Sequence, residues 1–232
     1  MAVALVAAAG AGERLRGDLP KALVDVAGRP LVAWSLAAFA RARSVEHAIV
    51  AAPEAFEREL TAVSERAEPD LSVAVVVGGQ SRSESVASAL AAAPEAEVVV
   101  VHDAARPLVT AELVDRCVTS LERWGCHGTV AAARAVDAVK EADAGGRVIA
   151  TLERRNLWAV QTPQVFRADA LRRAFEASAL ERAYDDAQLV EAGGGDVRIV
   201  EAPRENLKIT TPLDLRVAEL LLQERLTGVA RC

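Results

Sequence analysis

Residues 3–21 read Val-Ala-Leu-Val-Ala-Ala-Ala-Gly-Ala-Gly-Glu-Arg-Leu-Arg-Gly-Asp-Leu-Pro-Lys, an apolar run that breaks into a glycine-rich turn followed by charge. A continuous apolar run of this length, without polar alternation, fits a parallel strand buried on both faces. Gly10 and Gly12 follow it directly. They therefore stand at the carboxyl end of a first strand, where open α/β sheets bind ligands. Two glycines allow close approach of the backbone to a phosphate chain, with N–H groups turned inward as an anion nest. Arg14 and Lys21 add two full positive charges to the same loop.

The same reading extends outward. Further continuous apolar runs lie at 47–51, 73–77, 97–101 and 129–133. Helix-length stretches separate them. Pro30 suits a first helical position before 31–42, and Pro53 does the same before 54–67. A serine-rich start at 81–85 precedes 86–93, and Thr110 is a cap for 111–123. Strand and helix alternating in this way predict a doubly wound, mostly parallel α/β sheet with right-handed crossovers. Near Arg134 the pattern changes. Segments 135–141 and 147–153 flank Asp143-Ala144-Gly145-Gly146, which predicts a β-hairpin arm within an insertion at 134–157. Helices at 168–179 and 186–192 follow, then Gly193–Gly195, a strand at 196–200 and a helix opened by Pro212. Without repeats or low-complexity linkers, 1–232 reads as one domain carrying an insertion.

Composition narrows the function classes. The chain has 232 residues, 52% apolar and 26% charged, with a net charge of −6 from 27 basic and 33 acidic side chains. That balance opposes nucleic-acid binding, which uses a basic surface. It leaves room for a nucleotide, which a few local cations and amides can hold. Cys117, Cys126 and Cys232 form no CxxC pair and read as reduced intracellular thiols. His127 beside Cys126 lacks the second ligand pair that zinc needs. Residues 1–10 lack a basic n-region and read as a strand, not a signal peptide. No apolar run is long enough to span a bilayer. The expectation is a cytoplasmic protein without a membrane or nucleic-acid partner.

Two familiar glycine-loop readings fail on spacing. A dinucleotide fingerprint places a third glycine where Leu15 stands, and the string of a kinase or GTPase P-loop is absent. Instead, Gly10-Ala11-Gly12-Glu13-Arg14-Leu15 with Pro20-Lys21 behind it resembles the signature loop of sugar-phosphate and polyol-phosphate nucleotidyltransferases. Four further strings narrow the resemblance. They are Gly78-Gly79-Gln80-Ser81-Arg82-Ser83-Glu84-Ser85-Val86, Val101-His102-Asp103-Ala104-Ala105-Arg106-Pro107, Ala159-Val160-Gln161-Thr162-Pro163-Gln164 and Glu205-Asn206-Leu207-Lys208-Ile209-Thr210. In this order they resemble the 2-C-methyl-D-erythritol 4-phosphate cytidylyltransferases of the non-mevalonate isoprenoid pathway, over nearly the whole chain.

The resemblance implies a Rossmann-like nucleotidyltransferase fold. It implies transfer of the cytidylyl group of CTP to the acceptor phosphate, with release of pyrophosphate. Arg14 and Lys21 are then the catalytic cations on the triphosphate. Ala8, Ala9, Gly10, Ala11, Gly12, Gly79, Gln80, Ser85 and Asp103 bind CTP, with Ser85 able to serve equally as a helix cap. Mg²⁺, or another divalent cation, bridges phosphate oxygens with Asp103 as its protein carboxylate. Ala104, Arg106, Arg154, Tyr184 and Lys208 face the acceptor. Arg154 reaches it from the arm of a homodimer partner, and adjacent Arg155 leaves that register open. Ala105 favours methylerythritol phosphate over ribitol 5-phosphate, the acceptor of related cytidylyltransferases, which tend to carry a bulkier residue there. Ala138 and Tyr184 stand where relatives usually place threonines that hold the acceptor phosphate. Intact Arg14, Lys21 and Asp103 oppose a non-catalytic nucleotide-binding protein, and Leu15 opposes a nicotinamide-dependent reductase.

Overall fold

Ala2, Ala4 and Val6 pack into one hydrophobic core while Val3 and Leu5 pack into a second, so the opening strand is buried on both faces. This double burial is why its sequence shows no polar alternation. The structure, a computed structural model, describes residues 1–10, 19–177 and 184–228.

The opening strand is β1 (Ala2–Ala7). It is followed by a short pair, β2 (Asp25–Val26) and β3 (Arg29–Pro30), and then by α1 (Leu31–Arg41) and β4 (Val45–Ala52). Next come α2 (Glu57–Ala67), β5 (Ser72–Val77), α3 (Arg82–Ala91), β6 (Val98–Asp103) and α4 (Ala111–Trp124). The second half holds β7 (Gly128–Arg134), β8 (Lys140–Ala142), β9 (Val148–Thr151) and β10 (Trp158–Arg167). It ends with α5 (Ala168–Ala177), α6 (Asp186–Ala192), β11 (Val197–Glu201) and α7 (Pro212–Thr227).

Seven strands form the main sheet in the order β11-β7-β10-β6-β1-β4-β5. All neighbours run parallel except β10, which is antiparallel to both β6 and β7. On one face lie Leu36 and Phe39 of α1, Leu60 of α2, and Leu113 and Leu121 of α4. On the other lie Val86 and Leu90 of α3, Leu171 of α5 and Val190 of α6. The architecture is the doubly wound, mostly parallel α/β sheet that the sequence predicts. A third, smaller cluster joins Val26 and Leu31 to Leu108, Ile209 and Leu222, and so anchors α7.

Several local expectations shift. Pro30 is the residue before α1, not its first helical residue, because its ψ of 146° is extended and it pairs with Asp25. Residues 54–56 form a 3-10 turn before α2 begins. No strand is expected from the sequence over Trp158–Arg167, where β10 runs, and Pro163 lacks the N–H that a central strand needs. The sheet accommodates Pro163 by a register shift between Val160 and Gln164. The hairpin of β8 and β9 forms a separate two-stranded sheet. Asp143 closes its turn by accepting from the amides of Gly145 and Arg147.

Because Leu5 is fully buried on the interior strand β1, Leu5→Ala should cost about 2–5 kcal/mol of stability. The expected reading is a lower urea midpoint with an unchanged slope; an unchanged midpoint would contradict the two-faced core.

Candidate active site

From β1 the chain passes to β4 and β5 on one side, then returns to place β6 on the other side of β1. The strand order reverses there, and the loops leaving the carboxyl ends part to form a crevice. The result is a cleft of about 940 Å³. Its walls come from Ala8–Gly10 after β1, Pro53 after β4, the Gly78–Arg82 turn after β5 and Asp103–Ala105 at the end of β6. Lys21 and Lys208 enter from two further segments.

The turn between β5 and α3 is shaped by packing against its own helix. Ser81 is the cap of α3, accepting from the Glu84 amide, while Glu84 Oε2 accepts from the amides of Gln80 and Ser81. This reciprocal arrangement satisfies donors that a helix start otherwise leaves open. The capping role considered for Ser85 therefore falls to Ser81. Ser85 turns inward, accepting from the Gly79 amide at 3.2 Å and donating to the Ser81 carbonyl at 2.9 Å. Neither glycine leaves space for a side chain. A Cβ on Gly78 would stand 2.8 Å from that of Ala9, and one on Gly79 would stand 2.2 Å from that of Glu84.

At the cleft floor Asp103 is nearly buried and surrounded by cations. Arg82 Nε donates to its Oδ1 at 2.6 Å, Lys208 Nζ stands 2.7 Å from its Oδ2, and Arg106 Nε lies 3.9 Å from the same oxygen. Burial would raise the Asp103 carboxyl, but Arg82 and Lys208 outweigh it and hold the group well below the usual carboxylate range. Burial also opposes the charge on Arg82, and the carboxylates of Asp103 and Asp186 more than compensate. Asp103 is thus ionised at any pH where the protein works.

A layer of polar side chains fixes this floor from behind. Thr162, at the irregular point of β10, accepts from the Asp103 amide at 3.1 Å and lies 3.0 Å from His102 Nδ1. Its hydroxyl proton is free to donate to that nitrogen, which leaves the proton of His102 on Nε2, 3.3 Å from the Arg106 carbonyl; the tautomer is assigned from this network. Burial, with Arg106 and Arg82 adding to it, pushes the imidazole down to about 4 and keeps it neutral. Asn206 donates to the Gln161 side chain and the Thr162 carbonyl, each at 2.8 Å, and its own carbonyl accepts from Arg106. The Ile209 amide donates to the Ala105 carbonyl. Together these bonds bind the 205–210 segment to the end of β6 and aim Lys208 at Asp103. Lys21 donates to the Ile209 carbonyl at 3.0 Å.

The structure thus brings Ala8, Ala9, Gly10, Lys21, Gly79, Gln80, Ser85, Asp103, Ala104 and Lys208 onto one cleft. Arg106 lies beneath it, largely buried, with Nη1 spent on Asn206. Two other nominated residues are absent from the cleft wall. Arg154 is exposed at the base of the arm and donates to the Val136 carbonyl, and Tyr184 is 96% exposed ahead of α6. Ala11, Gly12 and Arg14 lie outside the described residues. Sequence reasoning passed over Arg82 and Asp186. Arg82 stands inside the Gly78–Val86 string, where a cation one residue beyond the helix cap was its signal. Asp186 carried no signal, because its partner is 104 residues away.

Comparison with known proteins identifies the arrangement. The family model "IspD: 2-C-methyl-D-erythritol 4-phosphate cytidylyltransferase" matches residues 2–224. A 2-C-methyl-D-erythritol 4-phosphate cytidylyltransferase of Nocardia farcinica is 46% identical, covering 96% of this chain and 94% of its own. The protein of the same name from Microcystis aeruginosa is 42% identical, covering 96% and 99%. Among solved structures, the 2-C-methyl-D-erythritol 4-phosphate cytidylyltransferase of Thermus thermophilus superposes with a TM-score of 0.77 at 34% identity, covering 96% of this chain and 98% of that one. The 4-diphosphocytidyl-2C-methyl-D-erythritol synthase of Anaerococcus prevotii reaches a TM-score of 0.84 at 27% identity, covering 95% of each.

The contact at Gly79 generates a direct test. Gly79→Ala forces the added methyl into Glu84 and should open the Ser81 cap. Calorimetry should then show at least about tenfold weaker nucleotide binding, the equivalent of one lost hydrogen bond, in a protein that still melts cooperatively. Unchanged affinity would remove this turn from the binding site.

Proposed function

The chain belongs to the 2-C-methyl-D-erythritol 4-phosphate cytidylyltransferase family and converts CTP and 2-C-methyl-D-erythritol 4-phosphate to 4-diphosphocytidyl-2-C-methyl-D-erythritol and pyrophosphate in isoprenoid precursor synthesis; we propose that the β1–β6 cleft carries out this step. The observation that supports this assignment is the convergence of Lys21, Lys208 and Arg82 on one crevice with the backbone of Ala8–Gly10. A protein with a net charge of −6 has concentrated cations where two anionic substrates must meet.

An acceptor phosphate oxygen attacks the α-phosphorus of CTP, a P–O bond forms, and the bond to the β-phosphate breaks in line with it. The attacking oxygen is already deprotonated at neutral pH, so the protein supplies charge and alignment in place of a base. Lys21 would neutralise the α-phosphate as its charge grows, with Arg14, seven residues before it in the sequence, as second donor. Cytosine sits against Ala8, Ala9, Gly79 and Ser85, where a fixed carbonyl facing its N4 amine would accept from cytosine and repel uracil. Lys208, next to the Ile209 carbonyl that holds Lys21, faces the acceptor phosphate.

The donor set fits a divalent cation carried in with the triphosphate. Among the described residues no group of three or more His, Cys, Asp or Glu side chains is placed to hold a metal alone. Mg²⁺ usually takes only one or two carboxylates beside phosphates and water. Glu84 is occupied by the turn amides, and Asp103 is the ionised carboxylate on the floor, its two oxygens paired with Arg82 and Lys208. Asp103 would hold the ion by exchanging its pair with Lys208 for it, and the ion would add charge neutralisation on the phosphates.

A homodimer is supported by the arm. Val136, Val139, Val148, Ile149 and Leu152 are all exposed around a two-stranded hairpin, and such a hairpin alone is marginal. Packing it on a second copy would bury these residues and carry Arg154 toward the partner's cleft. Cytoplasmic placement is supported by free, buried Cys117 and Cys126. Among the described residues no helix is long and apolar enough to cross a membrane.

Pyrophosphate release from CTP should proceed with 2-C-methyl-D-erythritol 4-phosphate, stop when Mg²⁺ is chelated, and be far slower with ribitol 5-phosphate. Lys21→Ala should lower turnover by about a hundredfold or more. A folded variant with wild-type turnover would remove Lys21 from the chemistry. For the arm, mixing inactive Lys21→Ala and Arg154→Ala proteins should restore activity through hybrid dimers. No restoration between two dimeric variants would place Arg154 outside the partner's site.

A further inference from the structure

Among the described residues, Asp186 is the one fully buried carboxylate without a task in the transfer chemistry. It is 0% exposed, on the first residue of α6. Burial, with the nearby charges of Asp103 and Asp185 adding to it, raises its carboxyl against the pull of Arg82. Its Oδ1 has no hydrogen-bond partner among the described residues, while its Oδ2 accepts from Arg82 Nη1 at 2.7 Å. Buried carboxylates are costly, and an unsatisfied oxygen adds to the cost. Among the described residues, the return on that cost is the bond to Arg82.

Arg82 shares its guanidinium between two carboxylates, donating through Nε to Asp103 and through Nη1 to Asp186. A planar fork bound at two edges has little rotational freedom, which a lysine cannot reproduce. The α6 end of this link is itself fixed. Asp185 caps its own helix by accepting from the Gln188 amide, and its Oδ2 accepts from Gln164 of β10. We propose that Arg82, held from behind by Asp186, is a positioning residue that sets the orientation of Asp103 on the cleft floor. Asp186 belongs to the same device at one further remove. The inference rests on the assignment of Asp103 to the nucleotide cleft.

The test compares Arg82→Lys, Asp186→Asn and Asp103→Asn, singly and in pairs, by steady-state kinetics, with melting curves to confirm the fold. Arg82→Lys and Asp186→Asn should each lower kcat/KM by about tenfold to a hundredfold, as loss of a supporting hydrogen-bond partner commonly does. Each should move whichever of kcat and the KM for CTP Asp103→Asn moves. In the Asp103→Asn background, Arg82→Lys should cost less than about a further twofold, because the two changes act on one orientation. Losses that multiply, or wild-type kinetics in Arg82→Lys, would overturn the proposal while leaving the cleft assignment intact. Wild-type kinetics in Asp103→Asn would overturn the cleft assignment first, and the proposal with it. If Asp186→Asn does not fold, the Arg82→Lys and Asp103→Asn pair decides the matter alone.

Discussion

A buried carboxylate has to be matched by cations, and in this protein that requirement organises the active site. Asp103 ends the central strand β6 with Arg82, Lys208 and Arg106 around it. Each cation comes from a different stretch of chain, so satisfying one charge draws the α3 turn, the 205–210 segment and the loop after β6 to the same point. Removing one partner from a buried pair is strongly destabilising, because the remaining charge stays desolvated. The cation cluster on the cleft floor is thus held in place by the fold's need to neutralise Asp103.

The sheet explains why this carboxylate stands where it does. Strand β1 has β4 on one side and β6 on the other, and the reversal opens the crevice at their carboxyl ends. Strand β10 runs against the direction of its neighbours and departs from regular pairing at Pro163. That irregularity frees the Thr162 hydroxyl and carbonyl to bind the Asp103 amide and Asn206. A break in the ladder, which weakens a sheet taken by itself, here supplies the polar contacts that hold the cleft floor.

Much of this was legible in the sequence because the relevant forces are local. Double burial writes itself as unbroken apolar runs, and residues 3–7, 47–51 and 129–133 all lie on interior strands. Thr110 caps α4 through its side chain, as its place before the helix suggests. The turn Asp143–Gly146 closes a hairpin through a side-chain oxygen within four residues. The glycine-rich loop after β1 and the end of β6 were recognisable as walls of a ligand crevice. What escaped reading depends on distant partners. Strand β10 contains Pro163, whose cost to the ladder is offset by contacts unseen in its own segment. Arg82 looked like one polar residue in a serine-rich turn until the fold set Asp103 and Asp186 on either side of it. Arg106 shows the converse: its motif suggests a ligand contact, and three-dimensional packing has spent one edge of it on the Asn206 carbonyl.

CTP binding at the β1–β6 reversal, on the cations around Asp103, is decided by a crystal structure with CTP and Mg²⁺. Cytosine should lie against Ala8, Ala9 and Gly79, with the triphosphate following the Gly10 loop to Lys21. A nucleotide bound elsewhere, or one whose phosphates point away from Lys21 and the Asp103 cluster, would contradict it.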